Sequence, residues 1–112
     1  MLERPLLDYW RVQQWLDDFE KSWGPNQRGH DLQLARLEQF CEFVGKNPDE
    51  IISECLRPVG DGQETIRYKV RHFYIDRIKE FEALPEVGRQ GGNSIRSFLI
   101  HNGVSMGGRV LR

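Results

Sequence analysis

The side chains best suited to binding chemistry lie near the C-terminal end of the sequence. Residues 87–112 contain four arginines and no acidic residue, a formal charge of +4, whereas residues 1–86 contain 12 Lys and Arg against 17 Asp and Glu, or −5. An acidic body with a basic end favours a surface that faces a polyanion. Composition alone is equally consistent with a basic tail that has no role.

Two groups of polar residues fall at helical spacing. The C-terminal polar stripe comprises Arg89, Gln90, Asn93, Ser94, Arg96 and Ser97. The central polar stripe comprises Arg28, His30, Gln33 and Arg36. On helices, each stripe would lie apart from the neighbouring apolar residues. Guanidinium groups bind phosphates and amides read base edges, so both stripes are candidate DNA contacts. Either stripe could instead be an ordinary solvated helix face.

A third basic cluster comprises Arg67, Lys69, Arg71 and His72. Acidic residues follow it at Asp76 and Glu80. Because these carboxylates offset the positive charge, we rank this cluster below the two polar stripes.

Motifs for catalysis or metal binding are lacking. His30, His72 and His101 have no Cys or carboxylate at metal-ligand spacing, and there is no C-x-x-C, G-x-S-x-G or glycine-rich phosphate loop. We therefore predict a chain that is not an enzyme by itself and uses no cofactor. Cys41, between Phe40 and Phe43, is predicted to be buried, reduced and unreactive, and a bridge to Cys55 is not expected.

Hydrophobic spacing predicts an all-α fold, a compact bundle of about five helices without a sheet. The predicted helices cover residues 5–23, 29–44, 48–57, 63–84 and 93–102, with a stop at 24–26 after the first. Asn47, Pro48 and Glu50 form a capping-box start signal for the third helix. Residues 59–62 are predicted to be a loop. The last helix is predicted to begin at Asn93, because Gly91 and Gly92 would each cost about 1 kcal/mol inside a helix.

The length of 112 residues predicts one domain with a single core. No apolar run is long enough for a membrane helix, and residues 1–5 lack the pattern of a signal peptide. We therefore expect a cytoplasmic, monomeric domain without a membrane partner.

Three segments in a fixed order carry a resemblance to a known family. They are residues 37–48 (LEQFCEFVGKNP), 71–81 (RHFYIDRIKEF) and 94–104 (SIRSFLIHNGV). The set resembles the N-terminal core-binding (SAM-like) domain of tyrosine recombinases, the phage-integrase family. The region of resemblance is 26–106, and residues 1–25 form an additional N-terminal helix and linker.

The resemblance implies a helical bundle that covers one face of duplex DNA. In that family a separate C-terminal domain, absent from this chain, covers the opposite face and carries the catalytic Arg, His and Tyr. The family's last helix starts early enough to include 87–92. The implied function is the DNA-binding module of a site-specific recombinase, whose partners are duplex DNA and the catalytic domain.

A second hypothesis is a helical protein–protein adaptor that does not bind DNA. The first predicted helix carries Trp10, Trp15 and Trp23, and such a surplus of aromatic residues could expose a partner-binding stripe. The dependence of binding on salt concentration distinguishes the two hypotheses, because binding to several phosphates weakens steeply as salt rises.

Overall fold

Helices dominate the fold. The computed structural model describes residues 2–23 and 27–105, with side chains for 2–21 and 31–105. The elements are a 3-10 turn at Leu6–Asp8, α1 at Trp10–Trp23, α2 at Gln27–Val44, α3 at Pro48–Cys55, β1 at Leu56–Gly60, β2 at Gln63–Ile66, α4 at Tyr68–Glu82 and α5 at Gly88–His101. The five predicted helices are therefore present, but the prediction of no sheet is wrong.

The first helix is shorter than predicted. Residues 6–8 form a separate 3-10 turn, and Tyr9 has an extended backbone before α1 begins at Trp10. This break places the Tyr9 side chain in the core. The helix ends at Trp23 as predicted, but the proposed stop at 24–26 lies outside the described residues.

The start of α3 follows from local sequence. The Asn47 side chain accepts a hydrogen bond from the Glu50 backbone N–H, and the Glu50 carboxylate accepts one from the Asn47 N–H, at 2.8 and 2.9 Å. Pro48 occupies the first turn, where a missing N–H costs nothing. The predicted capping box is confirmed.

The predicted loop at 59–62 is part of a β-hairpin, in which residues 59 and 60 belong to strand β1 and only Asp61 and Gly62 form the turn. Strands β1 and β2 pair antiparallel, with Leu56 opposite Ile66, and Asp61 and Gly62 at the turn both have positive φ. Only Leu56 of β1 is buried, so the strand lacks the alternation by which a half-buried strand is recognised. Because 63–66 belong to β2, α4 begins at Tyr68 instead of Gln63.

The last helix, α5, begins at Gly88, so the predicted start at Asn93 is wrong and 88–92 are helical. Gly91 and Gly92 are both buried. A Cβ added to Gly92 would lie 2.1 Å from Glu82 Oε1 and 2.9 Å from Glu82 Cβ. Close packing of α4 against α5 thus requires glycine at this position and overrides its low helix propensity.

The core forms around α5, which packs against α1, α2 and α4. Its largest fully buried side chains are Trp15, Tyr9, Tyr74, Phe40, Phe81 and Phe98. Cys41 is also buried, as predicted, and both cysteines are free thiols. Burial raises the pKa of the Cys41 and Cys55 thiols to about 12. None of the helices described is both long and apolar enough to span a membrane.

Candidate nucleic-acid interface

A surface cleft separates the middle of α2 from the first turns of α5. It has a volume of about 310 Å³ and is lined by Leu32, Gln33, Arg36, Val87, Gln90, Gly91, Asn93 and Ser94. Two residues of the central polar stripe therefore face three residues of the C-terminal polar stripe. We call this site the α2–α5 cleft.

Glycine permits the two helices to approach at this cleft. A Cβ added to Gly91 would lie 3.3 Å from Arg36 Cδ and 2.3 Å from Val87 Cγ1. The Arg36 stem therefore crosses α5 at Gly91, and its guanidinium donates a hydrogen bond to Gln39 Oε1 at 2.8 Å. This contact holds one cation at the edge of the cleft.

Arg96 of the C-terminal polar stripe is engaged inside the fold. Its guanidinium forms a two-pronged ion pair with Glu82 of α4, at 2.9 and 3.2 Å, and also donates to Asn93 Oδ1 at 3.0 Å. The hydrogen bond from Arg96 holds the pKa of the Glu82 carboxyl below its usual range. Because Glu82 neutralises the arginine, Arg96 joins α5 to α4 and is a poor candidate for a DNA contact.

The two serines of the stripe also have partners. Ser97 Oγ accepts a hydrogen bond from the indole Nε1–H of Trp15 at 3.1 Å. Trp15 is fully buried, so Ser97 supplies the acceptor that a buried indole needs. Ser94 Oγ donates to the Gln90 carbonyl oxygen at 3.3 Å but still lines the cleft.

Arg89, Gln90 and Asn93 are the exposed members of the stripe. Within the described residues, the Arg89 side chain has no hydrogen bond or ion pair, although its charge contributes to the lowered pKa of Glu82. Arg89 and Gln90 are therefore free to contact a ligand at the surface of α5, and Asn93 can still donate from its side-chain amide while its Oδ1 accepts from Arg96.

The acidic residues of the two helices lie away from the cleft. Helix α5 contains none. On α2, the 3.6-residue repeat places Asp31 and Glu38 roughly opposite Gln33 and Arg36. Glu42, the third acid of α2, lines a different pocket. Glu86, just before α5, is exposed and does not line the cleft. The lining of the cleft thus contains no acidic residue and combines one cation, Arg36, with neutral polar and apolar side chains.

For two of the predicted DNA contacts, the position relative to the cleft is not described. Arg28 and His30 belong to the first turn of α2, but their side chains lie outside the described residues, as do Arg109 and Arg112.

Two residues that line the cleft, Leu32 and Gly91, are not among the contacts predicted from the sequence. Leu32 is an exposed apolar residue at the rim, and Gly91 forms part of the cleft floor. A glycine pair within a helical pattern signals close backbone packing and could have indicated this approach.

No group of three or more His, Cys, Asp or Glu in the described ranges is placed to hold a metal ion. None of the protein-family models, curated proteins or solved structures compared with the chain matches it significantly. The geometry of the cleft is therefore the basis for the functional argument.

Proposed function

We propose that the chain is the DNA-binding module of a site-specific tyrosine recombinase, with the SAM-like core-binding fold of that family. In this role it clamps duplex DNA opposite a catalytic domain and works in the cytoplasm as a monomer. The observation that carries the proposal is the α2–α5 cleft, which joins two polar segments more than fifty residues apart in sequence.

The groups around the cleft match what a duplex presents. Arg36 and Arg89 supply cations for backbone phosphates, and Gln33, Gln90 and Asn93 supply amides that can bond to base edges or phosphates. Arg96 and Ser97 instead hold α5 in place. Recognition therefore rests on the exposed side of α5 together with the facing side of α2.

Binding by this module alone is expected to be weak. The net charge of the chain is −1, so attraction to phosphates must come from the local basic surface. Without the second half of the clamp, we expect a Kd on the order of micromolar or weaker at physiological salt.

The test is fluorescence anisotropy with labelled duplex DNA at several salt concentrations. Arg89→Ala with Asn93→Ala should lower the affinity about tenfold and make the slope of log K against log salt shallower by about 1. The melting temperature should hardly change, because both side chains are exposed.

The matched control is Gln14→Ala with Lys21→Ala, which removes one amide and one cation from α1. It should leave the affinity for DNA unchanged. Binding that does not respond to salt, or an equal loss in both double variants, would contradict the proposal.

The adaptor hypothesis is the alternative. It rests on Trp10, Trp15 and Trp23, of which Trp15 packs in the core and the Trp23 side chain lies outside the described residues. Trp10 is 55% exposed, with the Arg11 guanidinium 3.9 Å from its ring centroid. Salt-independent binding of a partner that requires Trp10 would favour the adaptor.

A further inference from the structure

The β-hairpin adds a cation to the third basic cluster. Strand pairing sets Arg57 opposite Thr65, which brings it beside the start of α4. A pocket of about 300 Å³ lies there, lined by Arg57, Ile66, Arg67, Tyr68, Lys69 and Val70. We call this site the hairpin patch.

The acids that lowered the ranking of this cluster pair with residues that do not line the hairpin patch. Asp76 is 3.7 Å from His72, and Glu80 pairs with Arg77. Glu64 of β2 turns toward α1, where both of its oxygens lie 3.3 Å from the Arg11 guanidinium. Positive charge at the hairpin patch is therefore left largely uncompensated.

The cations of the patch are available to a ligand. Arg57, Arg67 and Lys69 are exposed, and none of them pairs with a carboxylate among the described residues. Arg71, one helical turn further on, donates to the Ser105 carbonyl oxygen at 3.0 Å. Three cations around one pocket can contact successive phosphates of a nucleic-acid strand.

An aromatic side chain stands among these cations. Tyr68 is 56% exposed, and the Arg71 guanidinium lies 4.9 Å from its ring centroid. Ile66 and Val70, both half-buried, give the pocket an apolar component. An exposed ring beside an apolar pocket with a cationic rim suits a planar base attached to a phosphate.

The hairpin patch and the α2–α5 cleft lie toward opposite ends of α5. Glu82, at the end of α4, contacts Arg96 in the middle of α5, whereas Arg71, near the start of α4, reaches Ser105 beyond the end of α5. The fourteen residues of α5 span about 20 Å. The patch is therefore a separate site.

We propose that the hairpin patch binds single-stranded nucleic acid, with an unpaired base stacked on Tyr68 and the neighbouring phosphates held by Arg57, Arg67 and Lys69. Bases within a duplex are already stacked on one another, so an exposed ring of this kind favours an unpaired strand. This inference does not depend on duplex binding at the α2–α5 cleft.

The test is fluorescence anisotropy with labelled oligo-dT. Tyr68→Leu should weaken binding about tenfold, whereas Tyr68→Phe should retain it because stacking needs the ring and not the hydroxyl. Arg67→Ala with Lys69→Ala should also weaken binding and make the salt slope shallower by about 0.7 for each cation removed. Circular dichroism checks that each variant is folded.

The matched control is Gln14→Ala with Lys21→Ala on α1, which should leave oligo-dT affinity unchanged. If the duplex proposal alone fails, Arg89→Ala with Asn93→Ala keeps its affinity for duplex DNA while Tyr68→Leu still loses oligo-dT binding. Undetectable oligo-dT binding by the unaltered chain, or wild-type affinity in folded Tyr68→Leu, would overturn the hairpin-patch proposal. Equal losses of oligo-dT affinity in Tyr68→Phe and Tyr68→Leu would also overturn it. So would a Tyr68→Leu variant that loses as much affinity for duplex DNA as for oligo-dT.

Discussion

The C-terminal polar stripe has an inner and an outer side that differ in what they contact. On the inner side, Arg96 pairs with Glu82 and Ser97 accepts a hydrogen bond from Trp15. On the outer side, Arg89 and Asn93 are exposed. Residues of the same chemical types on one helix thus divide between stabilising the fold and remaining available for a ligand. The division is set by the elements packed against α5.

Among substitutions on the side of α5 that packs against the fold, Gly92→Ala should lower stability the most. Alanine normally favours a helix by about 1 kcal/mol over glycine, but here its Cβ would collide with Glu82. We expect a net loss of about 2 kcal/mol in the free energy of unfolding, typical of overpacking. Chemical denaturation measures it, with Asn93→Ala at the next, exposed position as the control. A gain in stability would show that α4 and α5 are not closely packed there.

Arg96→Ala should lower the free energy of unfolding by about 1–2 kcal/mol, because it leaves the Glu82 carboxylate without its charged partner. The side chains of Arg96 and Glu82 are 24% and 19% exposed, so water screens the pair only in part. Arg77→Ala is the control, since its pair with Glu80 is more exposed and should contribute less than about 0.5 kcal/mol.

The Arg96 effect should also depend on pH. The folded-state pKa of Glu82 lies below its unfolded value, so the ion pair contributes fully above the ordinary glutamate pKa. Its contribution is lost as pH falls through the lowered folded value. The stability difference between the wild type and Arg96→Ala should therefore shrink when unfolding is followed from neutral pH to about pH 3. A constant difference would contradict the ion-pair account.

Ser97→Ala should cause the smallest loss of stability on the inner side. We expect the free energy of unfolding to fall by about 1 kcal/mol, because the buried Trp15 N–H loses its acceptor. Ser94→Ala is the matched control, since Ser94 bonds only to a carbonyl of its own helix. Thermal unfolding of the two variants compares them directly. Equal melting temperatures would mean that the Trp15–Ser97 bond contributes nothing.

The features that the sequence predicted correctly are local ones. The capping box at Asn47 and Glu50 is closed by residues three apart, and the apolar spacing of 34–44 places Leu37, Phe40 and Cys41 in the core. Such patterns depend on helix geometry alone.

The features that the sequence missed depend on residues that meet only in the folded chain. The hairpin was missed because β1 buries only Leu56, although Asp61-Gly62 is a typical turn pair. The roles of Arg96 and Ser97 depend on partners 14 and 82 residues away. No spacing rule within α5 could assign them.

The central claim is that duplex DNA is bound at the α2–α5 cleft, and an NMR titration of the labelled protein with duplex DNA tests it most directly. Duplex DNA bound at the cleft should change the amide shifts of the first two turns of α5 and of Gln33 and Arg36 in α2, and these changes should diminish as salt rises. Shifts confined to α1, or shifts at the cleft that do not depend on salt, would contradict it.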